Sequence, residues 1–165
     1  PDVSVTAAAP AADDFHPRYT MLTKEYVYKI LVSPVPDPFL YGRVWHYPKK
    51  LLPDAAERMD ACAAELVGRQ DFASFMAAGS KITDTVRTVS DCRVCRCGDL
   101  ITLTIAADGF LYNMVRIIAG TLLLAGAGKL DRAGMRRIID AKDRAAAGAT
   151  APPEGLYLSR VTYHE

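Results

Sequence analysis

Between Gly109 and Gly128 the only charged residue is Arg116. A guanidinium inside an apolar helix is costly unless a partner or solvent meets it. At helical spacing its neighbours are Tyr112, Asn113, Ala119 and Gly120, the one polar, small-residue stripe of that segment. No carboxylate is placed locally to pair with it. Two readings stay open: a snorkelling or cross-element ion pair, or an arginine aimed at an acidic catalytic residue or a phosphate. Tyr26 and Tyr28 share one face of a strand, either as core aromatics or as cleft tyrosines that stack on a base or move a proton. Asp71 and Asp108 are the acids available for catalysis, and both also sit in turn or cap settings. Cys92, Cys95 and Cys97 crowd one segment, with Cys95 and Cys97 on one strand face and Cys92 on the other. A structural zinc site needs four convergent ligands, whereas His16, His46 and His164 are scattered. No Ser/His/Asp, Cys/His, phosphate-loop or dinucleotide signature is present.

The elements that must position these groups follow from periodicity. Lys24 to Val32 alternates as a strand with one buried face. Pro34, Pro36 and Pro38 then impose an extended loop, and Gly42 to Tyr47 is a second short strand. Pro53 to Gly68 has the proline start and glycine end of a helix. Asp71 to Phe75 is a short helical turn. Thr85 to Cys97 and Leu100 to Ala106 flank Gly98-Asp99 as a hairpin. Phe110 to Ala127 is an apolar helix. Its uncharged run after Arg116 ends at Gly128, well short of the roughly 20 residues a membrane span needs. Asp131 caps an amphipathic helix to Ala141, and Tyr157 to Tyr163 closes as a strand. Pro1 to Ala12 reads as a short strand and connector. The order predicts an α+β fold with helices on one face of a mostly antiparallel sheet.

With 165 residues, half of them hydrophobic and 24% charged, the chain has the profile of one globular domain. Twenty basic and nineteen acidic residues leave a net charge of +1, so any nucleic-acid surface must come from segregating charge onto one face. The four cysteines do not form the evenly spaced framework of a secreted miniprotein, which points to a reducing cytoplasm. The start at Pro1, with no charged segment before an apolar one, reads as the interior of a longer product rather than a signal peptide.

Seven segments, in order, resemble the tRNA pseudouridine synthase A family over nearly the whole chain. They are FHPRYT (Phe15 to Thr20), KEYVYKI (Lys24 to Ile30), QDFASF (Gln70 to Phe75), VRTV (Val86 to Val89), ADGFLYNMVRIIAGTLL (Ala107 to Leu123), AKDR (Ala141 to Arg144) and TAPPEGLYL (Thr150 to Leu158). The resemblance is to the family's C-terminal half. It implies a pseudouridine synthase fold related to the ferredoxin-like arrangement, with residues 1–23 a connector from an absent N-terminal half and 24–165 the C-terminal domain. It further implies a cofactor-free, metal-free isomerisation of uridine to pseudouridine in the tRNA anticodon stem-loop, at positions 38 to 40, on a target swung out of its stack. The family's nucleophile is the aspartate of a Gly-Arg-Thr-Asp-Ala-Gly motif. No such motif occurs here, so the chain alone is expected to be inactive. By resemblance Tyr26 packs on the target base and takes the C5 proton, and Arg116 pairs with the absent aspartate. Leu156 and Leu158 wall the uracil pocket. Arg18, Lys24, Lys81, Arg87 and Arg144 are candidates for phosphate contacts, and a homodimer is implied. The alternatives are a non-catalytic RNA-binding or dimerisation domain that keeps the scaffold, and a small cysteine–metal module.

Overall fold

Alternation of apolar residues builds the sheet before any helix is added. In the computed structural model, which describes residues 3–163, β1 runs from Met21 to Val32 and buries Tyr28 and Ile30 completely. Pro1, Asp2, His164 and Glu165 lie outside the described residues. β2 (Trp45–Tyr47) and β3 (Gly68–Asp71) are short, whereas β4 (Val86–Cys97) and β5 (Leu100–Ala107) form a long hairpin. Its turn takes Gly98 at φ 58, the first central position where a two-residue hairpin of the II′ kind favours glycine. β6 (Leu156–Tyr163) completes six strands in the order β2-β1-β5-β4-β3, with β6 also on β1. β1 is long enough to hold β6 along Met21–Tyr28 and β2 along Ile30–Val32. All pairings are antiparallel except β1 with β2.

Three helices cover the face carrying Tyr28, Ile30, Ile101, Leu103, Ile105 and Val94. α1 (Ala55–Ala63) packs on β4 and α2; α2 (Met114–Gly126) packs on β1; α3 (Arg132–Ala141) closes the outer side. The Asp131 carboxylate accepts the Gly134 N–H at 2.7 Å and so caps α3 as its sequence implies. This is the expected α+β arrangement. Among the described residues no helix is long and apolar enough to cross a membrane.

Three local expectations change. The apolar helix begins at Met114 instead of Phe110, because Asn113 takes the left-handed conformation (φ 58) and breaks the helical path. At 13 residues α2 is therefore about 20 Å long at 1.5 Å per residue. The first helix ends by a 3-10 turn at Leu66, and Gly68 opens β3 instead of closing the helix. Gly-Arg-Gln-Asp has no apolar alternation to announce a strand; its pairing with Val86–Val89 makes it one. Residues 3–12 form no strand, and no described strand pairs with them.

The 147–155 connection lies on α2 at unusually close range. Thr121 Oγ accepts the Gly148 N–H at 2.9 Å, and the Ala151 N–H reaches the Arg116 carbonyl at 3.1 Å. A Cβ on Gly120 would stand 1.9 Å from the Ala149 carbonyl oxygen, so only glycine fits. Gly120→Ala is expected to destabilise the fold by at least about 3 kcal/mol in urea unfolding, at or beyond the upper end of usual overpacking costs. An unchanged midpoint would mean that the connection does not rest on α2 as described.

Candidate active site

One small crevice gathers most of the chemistry. Tyr26 leaves β1 toward the helix face and meets Phe110 edge-on, ring centroids 5.0 Å apart. Phe110 is placed by the turn between β5 and α2, where the Asp108 carboxylate accepts the Thr88 N–H at 2.9 Å. Arg116 lies in the first turn of α2, and Leu156 enters from the start of β6. Tyr26, Phe110, Asn113, Met114, Arg116 and Leu156 line a cavity of about 110 Å³. Beside it, a groove of about 440 Å³ shares Tyr26 and Phe110 and extends along Arg18, Ser80, Ile82 and Tyr112.

The Arg116 guanidinium is half-buried and held by neutral oxygens. Nε donates to the Ala151 carbonyl at 2.7 Å, and Nη1 donates to Asn113 Oδ1 at 3.0 Å. Among the described residues no carboxylate pairs with it, although six other ion pairs form. Its charge is therefore uncompensated at the crevice. Tyr28, beneath Tyr26 in the same strand, is fully buried and donates its hydroxyl to the Pro152 carbonyl at 2.6 Å. Burial pushes its phenol well above the ordinary value, against the opposing pull of the Arg116 charge. Tyr28 is thus a structural prop for the Ala151–Pro152 turn that holds Arg116.

Other sequence candidates fall around this centre at different distances. Leu158 stands opposite Tyr26 in the β1–β6 register but is 54% exposed and outside the cavity lining, whereas Leu156 is in it. Arg18 lines the groove, and Lys81 is exposed between the groove residues Ser80 and Ile82. Lys24 is half-buried in β1 between Ala107 and Val161. Arg87 folds back on the carbonyls of Asp84 and Val86, and its side chain covers Gly109. Arg144 donates to Thr150 Oγ1 at 3.1 Å, one residue from the carbonyl that anchors Arg116. Phe110 and the Ala151 and Pro152 carbonyls do not stand out in the sequence. Asn113 does so only as a helix neighbour of Arg116.

Asp71 is committed elsewhere: its Oδ1 accepts from the Thr85 hydroxyl at 2.5 Å and from the Ala73 N–H at 3.1 Å, and Lys142 lies 3.2 Å from Oδ2. Cys62 and Cys92 are buried, Cys95 and Cys97 are exposed, and all four are free. Among the described residues no three metal-ligating side chains converge. A separate hollow of about 450 Å³ around Tyr41, Trp45, His46 and Glu154 shares no residue with the crevice.

In this six-stranded α+β domain a tyrosine and an arginine that pairs with no carboxylate among the described residues border one crevice. The family described as tRNA pseudouridine synthase matches residues 62–164. Proteins named tRNA pseudouridine synthase A are similar along nearly the whole chain. That of Thermoanaerobacter sp. (strain X514) is 43% identical over 164 residues, 98% of this chain and 65% of its own length. That of Bacillus subtilis (strain 168) is 42% identical over 162 residues, 98% and 64% of the two chains. That of Methylobacterium nodulans is 44% identical over 163 residues, 99% and 63%. The chain belongs to the tRNA pseudouridine synthase family. It spans a little under two thirds of the length of these curated relatives.

The Asp71 contacts set a pH test. The Thr85 hydroxyl, then the Ala73 N–H and Lys142, hold its carboxyl below the ordinary 3.8 despite partial burial. A depressed folded-state value stabilises the fold above the unfolded value, about 4, and the benefit fades as pH falls through the folded one. Asp71→Asn is expected to lower the melting temperature at pH 7, with the penalty shrinking as pH falls below about 4 and on through the folded-state value. A penalty unchanged over that fall would assign the effect to neutral hydrogen bonding instead.

Proposed function

We propose that this chain is the C-terminal part of a tRNA pseudouridine synthase, which forms the base-receiving and arginine side of the active site. The observation that carries this reading is the convergence of Tyr26, Phe110, Leu156 and Arg116 on one crevice, with the Arg116 charge facing no carboxylate among the described residues. In this reading the nucleophilic aspartate comes from a segment outside residues 1–165. Arg116 keeps it ionised, since an adjacent cation lowers a carboxyl pKa. The carboxylate attacks the flipped nucleoside, the bond from the ribose to N1 breaks, and the uracil turns within the crevice. C5 then attacks the ribose carbon and displaces the carboxylate, which regains its free form; the C5 proton leaves, and N1 is protonated.

Tyr26, wedged edge-on against Phe110, packs on the uracil and takes the C5 proton. Leu156 supplies an apolar wall, with Leu158 beside it on the exposed end of β6. The groove lined by Arg18, with Lys81 exposed beside it, leads away from the crevice, where phosphates flanking the target pass, and Lys24, Arg87 and Arg144 extend this contact. The substrate is a uridine of the tRNA anticodon stem-loop, at positions 38 to 40. The working enzyme is a cytoplasmic homodimer and uses no cofactor.

Tritium release from tRNA labelled at uracil C5 tests the proposal. The 165-residue chain alone is expected to release none, and the N-terminal part of a relative added in trans is expected to restore release. In the restored mixture Tyr26→Phe should lower the rate at least about a hundredfold, the scale of a lost general base. Release by the chain alone would place the nucleophile within these residues and overturn the division of labour. Failure of the supplemented mixture would count against the enzyme reading in favour of an RNA-binding module.

A further inference from the structure

Asn113 combines two features that a simple helix start does not require. Its backbone is left-handed (φ 58, ψ 13), and Lys142 is the other non-glycine residue with positive φ among those described. Asparagine tolerates that region better than most residues, but the conformation is still strained. An asparagine at the N-cap of a helix ordinarily turns its side-chain oxygen onto the N–H of the second or third helical residue. Asn113 makes no such cap; its Oδ1 accepts instead from Arg116 Nη1 at 3.0 Å. The left-handed turn and the diverted amide belong together, because the turn brings residue 113 onto the guanidinium one helical step ahead.

With Ala151, which takes Nε at 2.7 Å, Asn113 fixes the guanidinium plane on two sides. Both acceptors are uncharged. A carboxylate in the place of the Asn113 amide would hold the guanidinium equally well but would consume its charge. Arg116 Nη2 has no acceptor among the described residues, and the cavity it borders also contains Tyr26 and Leu156.

We propose that Asn113 is a positioning residue for catalysis, a neutral clamp that aims Arg116 at the incoming carboxylate while leaving its charge available. The inference rests on the synthase reading above and names a contributor that acts through Arg116. Because glycine adopts φ 58 without strain, Asn113→Gly removes the amide while sparing the backbone. Aspartate also tolerates this region, so Asn113→Asp keeps an acceptor in place but adds a competing charge.

Both variants are to be made in the enzyme completed with its N-terminal part, and kcat, KM and melting temperature measured for tRNA. Asn113→Gly should lower kcat roughly ten- to hundredfold, the scale of a slightly misaimed group, with KM within about twofold and the melting temperature unchanged or raised. Asn113→Asp should lower kcat as well. A wild-type kcat in Asn113→Gly overturns the proposal, as does a kcat loss that tracks a fall in melting temperature. An inactive unaltered enzyme overturns the synthase reading, and this inference with it. A second readout separates the two failures: in the 165-residue chain alone, Asn113→Gly should speed rotation about the Arg116 Nε–Cζ bond in 15N NMR. An unchanged rotation rate would show that Asn113 does not restrain the guanidinium, whatever the activity.

Discussion

Among the described residues the guanidinium of Arg116 meets only neutral oxygens, at the foot of a helix whose remaining surface is almost wholly buried. A cation that loses part of its hydration needs polar groups in its place, and the surrounding structure supplies a carbonyl and an amide oxygen. The Ala151–Pro152 turn brings a carbonyl to Nε, and Tyr28 holds that turn from below through its hydroxyl. Gly120 lets the 147–151 segment approach the helix backbone, which no side chain at that position would permit. The pieces that hold the arginine are therefore contributed by β1, α2 and the connection to β6, far apart in sequence.

The sheet serves the same end from the other side. β1 runs through its middle, paired to β5 along one edge and to β6 and β2 along the other. That central placement makes Tyr26 rigid on its backbone side and leaves its ring to Phe110 and the crevice. Rigid elements hold reacting groups more closely than loops do. The basic residues near the groove, Arg18 and Lys81, by contrast sit outside the strands and helices.

Much of this was legible from the residues. Alternation located β1 and β6, the segments flanking Gly98-Asp99 located the β4–β5 hairpin, and the polar stripe around Arg116 marked an arginine that needs a partner or solvent. What stayed hidden had physical reasons. β3 is four residues without alternation, and pairing with β4 alone makes it a strand. The apolar run puts the start of α2 at Phe110, ahead of Met114, because a left-handed asparagine has no hydropathy signature. Main-chain carbonyls such as Ala151 and Pro152 carry no side-chain identity, so their part in the site waits on tertiary structure. Asp71 could be nominated as a catalytic acid until its hydrogen bonds to Thr85 and Ala73 were visible.

The proposed function requires a carboxylate opposite Arg116. The direct measurement is the titration of the nucleophilic aspartate, followed by its 13C-carboxyl shift in the completed enzyme with Arg116 and with Arg116→Gln. The account predicts a pKa held below the usual aspartate value, rising by about 1–3 units when the guanidinium is removed. An aspartate that titrates at the same pH in both proteins would contradict it, and would leave Arg116 as no more than a structural cation.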